Sequence, residues 1–375
     1  MLSGVGSKRK EGIKQVVRAE YEKIDRHHFV FLSSRSVYKW VSNDIVNTWE
    51  DAFVKIDPLS EIKDINKKYY LVLKALRNHY ILSNKFAEWS FRKIQEILNE
   101  EINDRILFLI GMNYRSLDLL GFYKTKKLKI AYILDAWENS IKSLAEQILT
   151  NKADIILLAI QDSIELLEKH LPTELMKRVF LFPVFIDPDI YPKDIPNKLY
   201  DIIQVGRRND TLHQWALRYS LERHRSYLYE KRNSKGIYYF DGRKWEGSNF
   251  QLSYSSLIET LDRTKIALVS PPDLTDNKRT GRVSPLTPRY LEAAMCFAVP
   301  AGFTPSSDEY REFFPETFTI VPRNYNDFAN ICDQLINDDN ARLEIAVRNR
   351  RYVLENHSVY SRYEQLQRVL KKYDV

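Results

Sequence analysis

Residues 265–302 read KIALVSPPDLTDNKRTGRVSPLTPRYLEAAMCFAVPAG, and this stretch decides the fold of the chain. Its first residues, Lys265–Ser270, are apolar and rich in β-formers, so they predict a buried strand. The polar segment Pro271–Ser284 is long for a connection and predicts a functional or mobile loop. Thr287 is typical of a helix cap and Pro288 of a first helical turn, and the closing VPAG predicts a second buried strand.

The helix that follows this loop carries charges suited to a phosphorylated ligand. Free N–H groups and the positive dipole end at the start of a helix attract anions. Four basic side chains, Lys278, Arg279, Arg282 and Arg289, lie close to that start in the sequence. Glu292 lies just past the first turn, where its carboxylate can accept hydrogen bonds from a diol. Cations for a diphosphate beside a carboxylate for a ribose indicate a nucleotide-sugar site.

This stretch resembles the nucleotide-binding core of retaining glycosyltransferases of the B-type fold (GT-B), of the group-1 or CgeB-like kind. Their pattern has two Glu residues separated by seven others, then a helix of small residues, a Gly and a Val-Pro pair. The chain keeps the second Glu as Glu292 and the pair as Val299-Pro300. It departs from the pattern at Ser284, which replaces the first Glu, and at Phe297, which replaces the Gly.

The resemblance implies an α/β fold of two Rossmann-like domains facing across a cleft, with a helix-rich N-terminal domain. We predict an acceptor-side domain over residues 1–190 and a nucleotide-sugar-binding domain over residues 191–375, with the last helix, near 358–375, packing back on the first domain. The implied activity is retaining, metal-independent and cofactor-free transfer of a sugar from a nucleotide diphosphate sugar to a glycan or lipid-linked saccharide. Such a reaction belongs to polysaccharide biosynthesis. A catalytically silent glycan- or partner-binding relative is the alternative.

The resemblance also implies which residues hold the donor. In this family the second domain opens with a strand that runs into a Gly-Arg pair, whose Arg contacts the diphosphate; here a predicted strand over Tyr200–Val205 runs into Gly206 and Arg207. A Lys that often follows is missing, and Arg208 or His213 can substitute, although a solvated surface charge is equally compatible with Arg208. The predicted donor-binding residues are Gly206, Arg207, Arg208, Arg282, Leu286, Thr287, Arg289 and Glu292. A surface ion pair with Arg289, three residues earlier, is the alternative role for Glu292.

Asp135 is the candidate catalytic residue of the first domain, beside Glu292 in the second. It ends a predicted strand over Leu128–Leu134, and the carboxyl end of a parallel strand lies at the ligand edge of the sheet. Asp135 is expected to contact the acceptor hydroxyl, and Trp137 to stack on a sugar. Helix capping by Asp135 and core packing by Trp137 are the alternatives.

Strands and helices alternate through residues 105–182, which predicts a parallel sheet with crossover helices. The segment Leu59–Asn103 before them predicts mostly helix, and Trp215–Lys231 predicts another helix. Asp187-Pro188-Asp189 follows the last of these strands, and its position and prolines indicate a hinge rather than a metal-binding Asp pair.

The length, net charge and cysteine count of the chain limit the class of protein to which it can belong. A length of 375 residues predicts two domains, and a net charge of +7 favours anionic partners such as sugar nucleotides, without the basic stripe that nucleic acid would need. Two cysteines and no apolar run near the roughly 18 residues that span a bilayer predict a cytoplasmic protein. A predicted helix from Ile13, preceded by Lys8–Lys10, packs on the domain or, alternatively, contacts the inner face of a membrane.

Overall fold

The computed structural model describes residues 28–36, 41–66, 68, 93, 97, 100–233, 236–241, 244–246 and 254–373. The predicted N-terminal helix and most of the predicted helical segment Leu59–Asn103 lie outside the described residues. In the parts of that segment that are described, Glu61–Asp64 and Glu100–Glu101 form strands, so the helix prediction is wrong at those residues. No helix within the described ranges is long and apolar enough to cross a membrane.

Six parallel strands form the first sheet. The strands in the first part of the chain are β1 (Phe29–Ser33), β2 (Glu61–Asp64), β3 (Glu100–Glu101), β4 (Ile106–Gly111), β5 (Tyr123–Lys124), β6 (Lys129–Ile133), β7 (Ile155–Leu158) and β8 (Val179–Leu181). The sheet has the order β2-β1-β4-β6-β7-β8, and β3 pairs with β5 separately. Every residue of β1, β4 and β7 is buried, as expected for apolar strands covered on both faces.

The second sheet has a parallel centre and an antiparallel end. Its strands are β9 (Tyr200–Gln204), β10 (Tyr227–Asn233), β11 (Gly236–Asp241), β12 (Lys244–Glu246), β13 (Thr264–Val269) and β14 (Val299–Gly302). The order is β12-β11-β10-β9-β13-β14, with the pairs β10-β9, β9-β13 and β13-β14 parallel. At Gly302, φ is 141° and an added Cβ would lie 2.1 Å from the carbonyl oxygen of Val269, so this edge of the sheet requires glycine.

The helices cover both sheets. In the described residues they are α1 (Val41–Ile56), α2 (Ile141–Asn151), α3 (Gln161–Leu167), α4 (Thr173–Met176), α5 (Asp210–Arg223), α6 (Tyr254–Asp262), α7 (Asp273–Thr280), α8 (Pro288–Met295), α9 (Asp308–Phe313), α10 (Tyr325–Asn337), α11 (Asp339–Asn356) and α12 (Val359–Leu370). The predicted helix Trp215–Lys231 is therefore partly wrong, because α5 ends at Arg223 and β10 begins four residues later. Tyr227 and Tyr229 favour that strand, since aromatic residues suit a pleated surface.

The predicted loop Pro271–Ser284 contains the short helix α7, which the sequence analysis missed. Acidic residues lie in its first turn and Lys278 and Arg279 in its last turn, which complements the helix dipole. Asp276 has non-helical backbone angles and kinks the helix. The high polarity of the segment hid the helix, because α7 buries only Thr280 and so has no apolar periodicity.

The last helix lies against the first sheet. The Tyr363 hydroxyl donates to Asp57 Oδ2 over 3.1 Å, and the Arg362 Nε–H donates to the carbonyl of Pro183 over 2.9 Å. An isolated parallel bridge joins Ile186 to Ser358 just before this helix begins.

The predicted domain boundary after residue 190 falls in the connection between β8 and β9, and it stays a prediction.

The hinge candidate Asp187 is buried and has structural partners. Its Oδ2 lies 3.1 Å from Lys55 Nζ, and its Oδ1 accepts a hydrogen bond from the backbone N–H of Asp189.

Among the described residues, no group of three or more His, Cys, Asp or Glu side chains could hold a metal ion.

Helix α8 begins as predicted in one respect and not in another. Pro288 occupies its first turn and Thr287 is the N-cap residue, as predicted, but the Thr287 side chain makes no capping hydrogen bond. At the other end, Phe297 has a φ of 51°, in the left-handed region that favours glycine. Phe297 occupies the position where the resembled family has Gly, and its ring packs under the Arg350 guanidinium at 4.4 Å.

Candidate active site

A cavity lies where the carboxyl ends of strands from both sheets face each other. From the first sheet's side it is lined by Met112, Asp135 and Trp137, which follow β4 and β6, and from the second by Gly206, Arg207 and Ser270, which follow β9 and β13. The start of α8 and the residues just before it complete the wall with Leu286, Thr287, Arg289 and Glu292. Ligands of open α/β sheets bind outside the carboxyl ends of the strands, so this cavity has the expected position of a binding site.

Glu292 is buried and faces this cavity. Its Oε1 accepts a hydrogen bond from the Tyr254 hydroxyl over 2.8 Å, and its Oε2 lies 2.6 Å from Arg289 Nη1. Only 2% of Glu292 is exposed, so the pair with Arg289 is a buried ion pair at the cavity wall and not the surface pair considered as an alternative. Ala293 and Ala294 follow it, and their small side chains add little bulk to the helix.

Three buried polar atoms on the cavity wall have no hydrogen-bond partner. They are Glu292 Oε2, Arg289 Nη1 and Trp137 Nε1. The first two atoms lie 2.6 Å apart as an ion pair, in a geometry that is not that of a hydrogen bond. A ligand that supplies both donors and acceptors would complete the hydrogen bonding of these three atoms.

Two guanidinium groups pack on the Trp137 ring beside Asp135. The Cζ atoms of Arg207 and Arg279 lie 4.8 and 4.7 Å from the ring centroid. Burial raises the pKa of Asp135 to about 6, although both arginines partly oppose that shift. Desolvation and the neighbouring Arg279 lower the pKa of Arg207. Asp135 and Asp276 partly offset the repulsion between the two cations, and of the two arginines only Arg207 lines the cavity.

These contacts also decide between the roles considered for Asp135 and Trp137. Residues 138–140 form a short 3-10 helix whose capping residue is Trp137 and which has no side-chain cap, so Asp135 does not cap it. The indole ring of Trp137 is largely buried and is covered by guanidinium groups. Its predicted stacking on a sugar has no support from this arrangement, whereas Asp135 remains at the cavity wall.

The structure brings most of the predicted donor residues to the cavity, but not Arg208 or Arg282. Arg208 pairs with Asp210 over 2.6 Å, with both side chains exposed. The backbone N–H of Arg282 donates to Glu138 over 2.8 Å, and its side chain points to the same carboxylate. Neither arginine lines the cavity. A role of these two residues in donor binding stays a prediction without a supporting contact.

His213, considered as a substitute for the missing Lys, lies in a buried network. Its Nδ1 is 2.8 Å from the Tyr227 hydroxyl, which in turn donates to Gln204 Oε1. Burial lowers the pKa of His213. The side chain does not line the cavity, so it is held as part of the second sheet's packing.

Ser284 occupies the position of the family's first Glu and makes structural contacts. Its hydroxyl donates to Asp273 over 2.9 Å and accepts from the backbone N–H of Ser306. Its own N–H donates to Asp162 on α3, over 3.4 Å. Ser284 is fully paired and does not line the cavity, so it joins α7 and α3 instead of presenting a group to a ligand.

Tyr254 is the residue of this site that the sequence analysis missed. Its hydroxyl reaches Glu292, and its side chain lines the cavity. No local pattern marks it, because it is one of 23 tyrosines in the chain and starts an ordinary helix. Thirty-eight residues separate it from Glu292, so only the fold brings the two together.

Comparisons with known proteins agree with this architecture. The sequence pattern of a family described as Glycosyl transferase-like matches residues 223–368. Sucrose-phosphate synthase from Thermosynechococcus elongatus has a similar structure, with 9% identity, a TM-score of 0.54 and coverage of 93% of this chain and 99% of the synthase. A mutant of TarM from S. aureus has 16% identity and a TM-score of 0.50, with coverage of 74% of this chain.

The chain spans 58% of the length of that TarM structure. No curated protein matches the chain by sequence. The group-1 or CgeB-like assignment within the fold class is a finer prediction that these comparisons leave open. The broader resemblance is confirmed: this chain has the fold of the GT-B glycosyltransferases, with two Rossmann-like sheets, and over residues 223–368 it carries the pattern of the glycosyl transferase-like family.

Proposed function

We propose that this protein is a glycosyltransferase that moves a sugar from a nucleotide diphosphate sugar to a saccharide acceptor. The observation that supports this most is the cavity between the two sheets, where Glu292, Arg289 and Arg207 converge. Glu292 Oε2 and Arg289 Nη1 are buried there without hydrogen-bond partners. A ribose diol supplies donors for the carboxylate, and a diphosphate supplies acceptors for the guanidinium groups.

The donor is activated by charge placed around its diphosphate. When the bond between the anomeric carbon and the phosphate oxygen breaks, its electron pair stays on the diphosphate, which gains negative charge. Arg207, Arg289 and the first turn of α8 line the same cavity, and their positive charge supports this role in stabilising the leaving diphosphate. Fixed cations act more strongly on the transition state than on the bound donor, so they lower the barrier and do not only improve binding.

Asp135 is the candidate acceptor-side group. The acceptor oxygen forms the new bond to the anomeric carbon, and its proton passes to a base near the cavity. The carboxylate of Asp135 lines the cavity from the first sheet's side, opposite Glu292. A pKa of about 6 leaves it ionised at neutral pH and able to accept a hydrogen bond from the acceptor hydroxyl.

UDP is the first nucleotide to test. The similar TarM mutant structure is described as a complex with UDP, alpha-GlcNAc-glycerol and fondaparinux. Transfer or slow hydrolysis is measured with a panel of UDP, GDP, dTDP and CMP sugars. Release of nucleoside diphosphate from one class, lost in Glu292→Ala with the fold intact, supports the proposal. Release from no donor of the panel, with or without saccharide acceptors, contradicts it.

The same panel tests the finer parts of the proposal. Retention follows if the product keeps the anomeric configuration of the donor in an NMR spectrum. Metal independence follows if activity persists in a chelator. Lipid-linked acceptors, a role in polysaccharide biosynthesis and contact with a membrane surface each require their own acceptor or vesicle assay.

A silent binding protein is the second candidate, and Ser284 is the observation that favours it. The family's first Glu is replaced by a side chain that is paired with Asp273 and absent from the cavity wall. Saturable nucleotide binding without release of nucleoside diphosphate from any donor distinguishes this candidate from the enzyme.

A further inference from the structure

The Tyr254 hydroxyl holds one oxygen of Glu292, and a second tyrosine holds Tyr254. Tyr254 OH donates to Glu292 Oε1 over 2.8 Å, and Tyr191 OH lies 2.8 Å from Tyr254 OH. We infer that Tyr191 and Tyr254 are positioning residues, a hydroxyl relay that sets the orientation of the Glu292 carboxylate for the nucleotide. The inference rests on the proposed function, because it concerns the same carboxylate.

Counting protons gives the relay a direction. A tyrosine hydroxyl has one hydrogen to donate, and an ionised carboxylate only accepts. The Tyr254 hydrogen is used on Glu292, so the hydrogen between the two tyrosines comes from Tyr191. Burial first and the nearby Glu292 second raise the pKa of Tyr254 well above its ordinary value, so the donor stays protonated. Chains of hydrogen bonds in this order polarise and strengthen one another.

Both tyrosines are anchored by parts of the molecule outside α8. Tyr254 is the first residue of α6, and the Asp44 carboxylate on α1 accepts a hydrogen bond from its backbone. Tyr191 lies in the connection between β8 and β9, directly after a short 3-10 helix over Pro188–Ile190. Both side chains are buried. The relay therefore holds Glu292 from two segments outside its own helix.

The relay determines which oxygen of Glu292 is left for a ligand. Tyr254 donates to Oε1, so Oε2 is the oxygen that faces the Arg289 guanidinium, 2.6 Å away and without a hydrogen bond. Without the Tyr254 hydroxyl, the carboxylate can rotate and pair with Arg289 through both oxygens. After that rotation, Glu292 could no longer accept from the ribose and Arg289 could no longer bind the diphosphate. Loss of the one Tyr254 hydroxyl would therefore weaken the contacts to both the ribose and the diphosphate.

The first test measures UDP binding by calorimetry in single variants. We expect Tyr254→Phe to weaken binding about tenfold, because it loses a hydrogen bond to a charged group. Tyr191→Phe removes only the second member of the relay and is expected to weaken binding about threefold. Tyr290→Phe is the matched control: it lies on α8 and loses a bond to the Phe303 carbonyl, but it is outside the cavity, and we expect a change below twofold.

A double-mutant cycle separates positioning from general stability. In a Glu292→Ala background, measured up to millimolar UDP, Tyr254→Phe is expected to change affinity by less than twofold. An equal loss in both backgrounds, or wild-type affinity in Tyr254→Phe, overturns the relay while leaving the proposed function in place. A wild-type protein that binds none of the panel nucleotides overturns the proposed function, and the relay with it. Thermal unfolding of each variant verifies that it is folded.

Discussion

The two positions that correspond to the family's paired Glu residues have opposite surroundings. Glu292 is buried at the cavity wall, where its Oε2 contacts Arg289 without a hydrogen bond, whereas Ser284 is buried outside the cavity with its hydroxyl doubly hydrogen-bonded. Unsatisfied polar atoms in a folded interior are costly unless a ligand completes them, while satisfied ones stabilise the fold. The difference indicates that ligand contacts at this site are made by Glu292 and the groups across the cavity from it, and not by Ser284.

The largest effect is expected at Asp135, across the cavity from Glu292. Asp135→Asn should lower kcat about 100-fold if this group assists the acceptor proton, at the lower end of the range for general bases. In the wild type, kcat should fall as the pH drops below about 6, because protonation removes the acceptor. The variant should lack that limb, as a pH–rate profile would detect.

Stability should change in the opposite direction in the same variant. The folded-state pKa of Asp135 is raised, so its ionisation destabilises the fold as the pH rises through about 6. Asp135→Asn should therefore have a higher free energy of unfolding than wild type at pH 8, and a smaller advantage at pH 4, in urea titrations. Lower activity with higher stability at pH 8 indicates a functional group, and loss of both would show Asp135 to be structural.

The next largest effect distinguishes Glu292 from Ser284, the two positions where the resembled family has Glu. Glu292→Ala should weaken UDP binding about 30-fold, the factor for loss of about 2 kcal/mol of charged hydrogen bonding. Ser284→Ala should change affinity less than threefold, because its contacts are with Asp273, Asp162 and Ser306. Calorimetry measures both. Equal losses in the two variants would erase the difference between the positions.

A smaller effect should separate two neighbouring arginines. Arg207→Ala removes a cavity-lining guanidinium and should weaken UDP binding about tenfold, with a weaker dependence on salt. Arg208→Ala removes an exposed pair with Asp210 and should leave binding within twofold. The reverse ranking would mean that the donor lies away from the Trp137 side of the cavity.

The smallest effect is on stability alone. Ser284→Ala leaves the Asp273 carboxylate and the Ser306 N–H without this partner, which should cost about 1–2 kcal/mol in the free energy of unfolding. Denaturant titration measures it. If the variant is as stable as the wild type but has lost activity, Ser284 has a role in the active site.

The sequence predicted the parts of this site that depend on local pattern. The apolar runs of β4, β6, β9 and β13 predicted the parallel strands of both sheets, and with them the edge where Asp135 and Arg207 lie. Phe297 shows how a position can keep its backbone role without its residue: the family's glycine is absent, yet the φ of 51° that would favour it remains. A buried ring under Arg350 accompanies that conformation.

Other parts could not be read from the sequence because they depend on distant segments. Tyr254 and Tyr191 are brought to Glu292 by the packing of α6 and of the connection between the sheets. Arg279 belongs to a polar run whose helix leaves no apolar stripe, and it was expected in a loop. Arg282 has the charge of a phosphate ligand but is turned to Glu138, which no sequence pattern of either segment indicates.

A crystal structure of the protein with bound UDP would show whether Glu292 and the arginines hold the nucleotide. We expect ribose hydroxyls within hydrogen-bond distance of the Glu292 carboxylate, and the diphosphate against Arg289 and Arg207 at the start of α8. A nucleotide bound outside this cavity, or bound inside it with Glu292 still paired only to Tyr254 and Arg289, would contradict it.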